Sequence, residues 1–108
     1  MRVTTEQIQQ IHVVLSHFLK TVPYRLYLYG SRVHDHLKGG DFDLLVLLND
    51  DGLKIFRNQE LDILVEIKKK PDIGQRKIDI KAVTEEDLLS KPFFKLVAQE
   101  MIELKADN

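Results

Sequence analysis

Two apolar segments joined by a polar, glycine-bearing connection constrain this chain more than any other feature. Tyr24 to Leu48 reads Y-R-L-Y-L-Y-G-S-R-V-H-D-H-L-K-G-G-D-F-D-L-L-V-L-L. Tyr24 to Tyr29 is rich in aromatic and aliphatic residues and reads as a strand, with Leu26 and Leu28 on one face and Arg25, Tyr27 and Tyr29 on the other. Asp43 to Leu48 is a nearly unbroken apolar run, the pattern of a central strand covered on both sides. Between them, Ser31 to about Leu37 reads as a short helix and Lys38-Gly39-Gly40 as a turn. Asp41 and Asp43 stand one residue apart at the start of the second strand, so they point to the same face. Two like charges that close repel, and a hydrophobic core has no use for them. A divalent cation makes such a pair favourable. Gly30-Ser31, at the end of the first strand, is the kind of element in which backbone N–H groups approach a phosphate. Carboxylates for a metal beside a grip for phosphate point to nucleotide chemistry.

The rest of the chain supplies the layers around this pair of strands. Over residues 4–20, Ile8, Ile11, Leu15, Phe18 and Leu19 fall at helical spacing, with Val14 widening the stripe. Thr4 and Gln7 are three apart, as in a capping box. His12 and His17 lie on this helix without metal-ligand spacing and read as surface or core-edge histidines. Asn49-Asp50-Asp51-Gly52 stops the second strand, and Asp50 and Asp51 read as turn and cap residues rather than further metal ligands. Leu53 to about Lys68 reads as one long helix, closed by Lys68-Lys69-Lys70 and Pro71. Lys77 to Val83 reads as a third strand, with Ile78 and Ile80 on one face and Lys77, Asp79 and Lys81 on the other. Asp79 has two readings: an acid on the solvated face of an edge strand, paired with the flanking lysines, or a third carboxylate joining Asp41 and Asp43. Thr84-Glu85-Glu86-Asp87 starts a helix with an N-cap and acids in its first turn, and Pro92 interrupts or restarts it. From Phe93 to Leu104 the terminal helix is apolar on more than one face, enough for the sheet or for a partner. The fold expected is α/β (α+β), a small mixed sheet with helices mainly on one face, in a single domain over residues 1–108.

Composition narrows the classes. A chain of 108 residues has room for one modest core. A formal net charge of −1 provides no global basic field for nucleic acid. The absence of cysteine removes disulfides and thiolate metal sites. No apolar run reaches the length of a membrane span, and the polar Thr4-Thr5-Glu6-Gln7 is unlike the core of a signal peptide. A cytoplasmic location is the expectation.

Gly30-Ser31, nine intervening residues and Asp41-x-Asp43 resemble the G-S…D-x-D signature of the DNA polymerase beta-type nucleotidyltransferase superfamily. The short chain and the Gly30-Ser31-Arg32 triplet resemble its minimal nucleotidyltransferases, often the antitoxin half of a pair with a HEPN-domain toxin. The chain departs from that pattern at Val33-His34-Asp35, where the family often has a Gly, and at Gly40, where Ser is frequent before the first acid. The resemblance implies a nucleotidyltransferase-like fold and transfer of AMP from ATP to a hydroxyl, releasing pyrophosphate. Asp41, Asp43 and Asp79 would be catalytic and hold two Mg²⁺ ions, the third acid coming from the next strand. Gly30, Ser31 and Arg32 would bind the nucleotide, Arg32 meeting either phosphate or an acid at the site edge. The implied acceptor is a tyrosine on a cognate HEPN toxin. Two other functions stand beside this one: a non-catalytic antitoxin that neutralises its partner by complex formation, and transfer to an RNA end or a small molecule. Base preference and oligomeric state, with itself or with a partner, stay open.

Overall fold

A computed structural model describes residues 3–30, 41–74 and 76–106 of the chain. The expected short helix from Ser31, the Lys38-Gly39-Gly40 turn, and the candidate residues Ser31 and Arg32 lie outside the described residues.

Helix α1 (Thr5–Leu19) starts where its capping box dictates. The Thr4 side chain accepts from the Gln7 N–H at 3.1 Å, and the Gln7 side chain accepts from the Thr4 N–H at 2.9 Å. Gln7 Nε2 also donates to the Asp72 carbonyl at 2.9 Å, tying the helix to the segment before the third strand. Strands β1 (Tyr24–Tyr29) and β2 (Phe42–Leu48) pair antiparallel, with Tyr29 opposite Asp43 and Tyr24 opposite Leu48. Helices α2 (Asp50–Asn58) and α3 (Glu60–Lys68) then carry the chain to β3 (Ile78–Val83), which pairs parallel to β2 with Asp79 opposite Asp43. Helices α4 (Glu85–Ser90) and α5 (Pro92–Glu100) lead to a short β4 (Ile102–Glu103) on the free edge of β1. The sheet is mixed, in the order β3-β2-β1-β4.

The alternation of the strands sorts their side chains into two layers. Leu26, Leu28, Leu44, Val46 and Ile80 face the main core, where they meet Ile11 and Leu15 of α1, Phe56 of α2 and Ile63 of α3. Each such side chain contributes about 1.5–3 kcal/mol when fully buried. The opposite face holds a smaller cluster of Tyr29, Leu45, Val83 and Val97, covered in part by α4 and α5. Helices therefore lie mainly on one face. At one end of the opposite face Asp43 is half-buried and Asp79 exposed.

The structure corrects three expectations. The helix from Leu53 to Lys68 is two helices. At Gln59 the backbone leaves the helical region (φ −121°, ψ 16°), and its N–H bonds Phe56 instead of continuing the ladder. Asn58, whose side chain competes for backbone hydrogen bonds, immediately precedes the break. Asp50 and Asp51, expected as turn and cap residues, lie in the first turn of α2, which Asn49 caps; at Gly52 in the same turn a Cβ would stand 2.8 Å from Val22 Cγ1, so the missing side chain lets the helix start close to the end of the sheet. The last stretch is not helical to Leu104. The chain turns extended at Met101 (φ −65°, ψ 147°), and the Leu104 N–H donates to Leu26 across the edge of β1 at 2.8 Å. The unpaired backbone groups of β1 are what that segment satisfies.

Candidate active site

The site follows from register. Asp43 is the second residue of β2 and Asp79 the second of β3, and the parallel pairing sets them directly opposite one another. Both therefore project from the face opposite the main core. Tyr29 is the last residue of β1 and pairs with Asp43 on its other side. Three neighbouring strands thus deliver Tyr29, Asp43 and Asp79 in one row across the sheet. The Tyr29 hydroxyl donates to Asp79 Oδ2 at 3.3 Å. Lys81, two residues along β3 and so on the same face, pairs with that oxygen at 3.1 Å. Asp41, exposed just before β2, adds its negative charge to the field at Asp43. Asp79 is half-exposed on an edge strand and paired with the flanking Lys81, and it lies in register with Asp43.

Gly30 closes the row. Its φ of +79° lies where glycine is favoured, and a Cβ there would collide with the Asp43 carboxylate. The glycine thus serves both the turn out of β1 and the space for the acid.

The electrostatics record crowding of negative charge. Burial pushes the Asp43 carboxyl above the usual carboxylate range, with Asp79 and then Asp41 pushing the same way and Lys81 opposing them. The Tyr29 hydroxyl is raised well above its ordinary value by burial, then by the charges of Asp79 and Asp43 and its hydrogen bond to Asp79. A cation relieves all of these at once. The donor set fits Mg²⁺, which takes hard oxygens, needs one or two carboxylates and completes its shell with water and substrate phosphates. Among the described residues no group of three His, Cys, Asp or Glu side chains converges to enclose a metal. Of the three expected metal ligands, the structure sets Asp43 and Asp79 opposite one another, and Asp41, just before β2, does not complete a group of three with them.

Other polar features lie elsewhere. His12 is a core-edge histidine with a structural task. Its Nε2 donates to the Leu104 carbonyl at 2.6 Å and its Nδ1 is hydrogen-bonded with the Tyr24 hydroxyl at 2.7 Å, joining α1 to the chain just past β4. Asn49 caps α2, accepting from the Gly52 N–H at 2.7 Å, and Asp50 and Asp51 occupy its first turn, where acids complement the helix dipole. A cavity of about 620 Å³ sits at the other end of the sheet, bordered by Arg25, Asp50, Glu85 and Glu86. Three acids to one arginine make it a poor phosphate site, and it lacks the paired carboxylates. Tyr29 was not among the expected site residues, yet it stands beside the acids. Its position one residue before Gly30, on the face opposite Leu28, was the available signal for its place beside the acids.

No helix among the described residues is long and apolar enough to cross a membrane. No curated protein matches the chain. The family model of a nucleotidyltransferase domain matches residues 8–105, from the first turn of α1 past β4. That span takes in the whole sheet, the Gly30-Ser31 element and all three acids, so the chain belongs to the nucleotidyltransferase domain family, whose chemistry is nucleotidyl transfer.

Proposed function

We propose that this protein transfers AMP from ATP to a hydroxyl in a Mg²⁺-dependent reaction, and that the acceptor is a tyrosine of a HEPN-domain toxin that the modification silences. The observation that carries this reading is the register of Asp43 with Asp79 on adjacent parallel strands, with Gly30 pressed against Asp43. Two Mg²⁺ ions on Asp41, Asp43 and Asp79 would supply charge stabilisation at the attacking and leaving oxygens of an in-line displacement. Gly30 leaves room for the triphosphate to approach the backbone, and Ser31, next in the chain, offers a hydroxyl and an N–H to its β- and γ-phosphates. Arg32 adds a guanidinium suited to phosphate. Asp79 takes the proton of the acceptor hydroxyl. The acceptor oxygen bonds the α-phosphorus, the α–β phosphoanhydride bond breaks, and pyrophosphate leaves. Such a pair would act in the cytoplasm.

The test uses ATP labelled at the α-phosphate, incubated with Mg²⁺, the purified protein and a cell lysate, beside an Asp41→Ala/Asp43→Ala control. A labelled protein band missing from the control supports the reading and identifies the acceptor. Label in RNA or a small molecule keeps the chemistry and removes the toxin. Full neutralisation of the partner by the double variant would favour a non-catalytic antitoxin. Ser31→Ala is expected to weaken triphosphate binding in a calorimetric titration, and an unchanged affinity would move the phosphate grip elsewhere.

A further inference from the structure

An exposed apolar side chain alone carries no message, but Phe93 is tied to the acid site by its contacts. Among the large apolar side chains exposed in the described residues it is the aromatic one; the others are Val and Leu. Its ring meets Tyr29 edge to face, centroids 6.4 Å apart and planes at 81°, and Tyr29 is the residue that donates to Asp79. On its own helix it meets Phe94 at 5.3 Å and 72°. These two edge contacts hold the ring, yet 52% of the residue remains open to solvent. The Lys81 ammonium stands 6.0 Å from the ring centroid and 3.1 Å from Asp79 Oδ2. A cation therefore sits between an open aromatic ring and the paired carboxylates.

That order matches the order of groups in a nucleotide. The carboxylates mark the place of the reacting phosphate, the lysine complements its charge, and the ring lies one lysine's reach further out. The group that arrives at the ring is attached to a phosphate, which favours a nucleobase over an acceptor side chain. We infer that Phe93 is the platform on which the base of the bound nucleoside triphosphate stacks, with Lys81 meeting the phosphate beside Asp79. The inference rests on the nucleotide-binding reading above and adds the residue that holds the base. Stacking accepts every base, because each has a π face. Phe93 thus contributes affinity rather than base selection.

The chain has no tryptophan, so Phe93→Trp places a single reporter at the platform. With Mg²⁺ present, ATP is expected to quench its fluorescence, and inorganic tripolyphosphate, which has no base, is expected to leave it unchanged. In calorimetric titrations of the whole protein, Phe93→Ala and Phe93→Leu should each lose about tenfold or more in affinity for ATP. Tripolyphosphate should bind both variants as it binds the wild type, and Phe93→Trp should retain ATP. Circular dichroism checks that the variants fold, and Phe93→Leu preserves the apolar contact if the alanine variant does not. ATP binding by Phe93→Leu equal to wild type, with no quenching in Phe93→Trp, would overturn the platform while leaving the nucleotide reading intact. So would unchanged ATP affinity combined with slower transfer to a protein acceptor, which would assign the ring to that acceptor. A wild type that binds neither ATP nor tripolyphosphate would overturn the nucleotide reading and the platform together.

Discussion

Asp43 is held in an unfavourable setting for a carboxylate, and that has a measurable sign. Its folded-state value is raised, so without metal the folded protein binds this proton more tightly than the unfolded chain does. The metal-free protein should therefore lose stability as pH rises from the ordinary aspartate range through the raised value. Thermal midpoints in EDTA across that window should fall for the wild type and flatten for Asp43→Asn. The same variant should abolish Mg²⁺-dependent ATP turnover while remaining folded; normal turnover would make the metal-site assignment wrong. At Gly30 the left-handed backbone and the neighbouring carboxylate act together. Gly30→Ala should cost about 1–3 kcal/mol from the backbone alone, read by denaturant unfolding, and should also displace Asp43. The resemblance to G-S…D-x-D pointed to Gly30 and Asp43, and alternation along β2 sets the face that Asp43 takes. Tyr29 was not readable as a partner of Asp79, since their meeting depends on which strands become neighbours, whereas the pairing with Lys81, two residues along the same strand, was.

At the scale of elements, caps were legible and breaks were not. Both capping boxes, Thr4–Gln7 and Thr84–Asp87, are local hydrogen-bond patterns and needed no tertiary information. The Asp87 carboxyl is held below its usual range by the Thr84 backbone N–H first and then by Lys91. A lowered folded value means stability that is present above the ordinary aspartate range and lost as pH falls through the folded value. Thr84→Ala should cost about 1 kcal/mol, measured by unfolding, with faster hydrogen exchange confined to α4. The break at Gln59 and strand β4 were missed for different reasons. The spacing of Phe56, Ile63 and Ile67 suits one unbroken helix, so periodicity concealed the bend. The two residues of β4 carry too little pattern to announce a strand, and they pair because β1 presents a free edge.

For the whole molecule, the arrangement is an acid pair at one end of a mixed sheet, with the core on one face and α4–α5 over part of the other. A ligand that binds this end only when the strands are in register stabilises the entire fold by mass action. ATP with Mg²⁺ at about 100 times its dissociation constant should add about 2.7 kcal/mol, visible as a rise in the thermal midpoint. Asp43→Asn should show no such rise, and an equal rise in that variant would place the ligand elsewhere.

Helix α1, strands β1 to β3 and the caps of α1 and α4 followed from the order of residues, because helical and strand periodicities and side-chain caps act over a few positions. The register that sets Asp79 opposite Asp43, the hydroxyl that meets Asp79, the aromatic ring beside it and the strand that seals β1 did not. Those depend on parallel pairing between positions 36 apart in the chain and on helices folding back over the sheet. Contacts between segments so far apart leave no local period in the sequence, and packing alone brings them together.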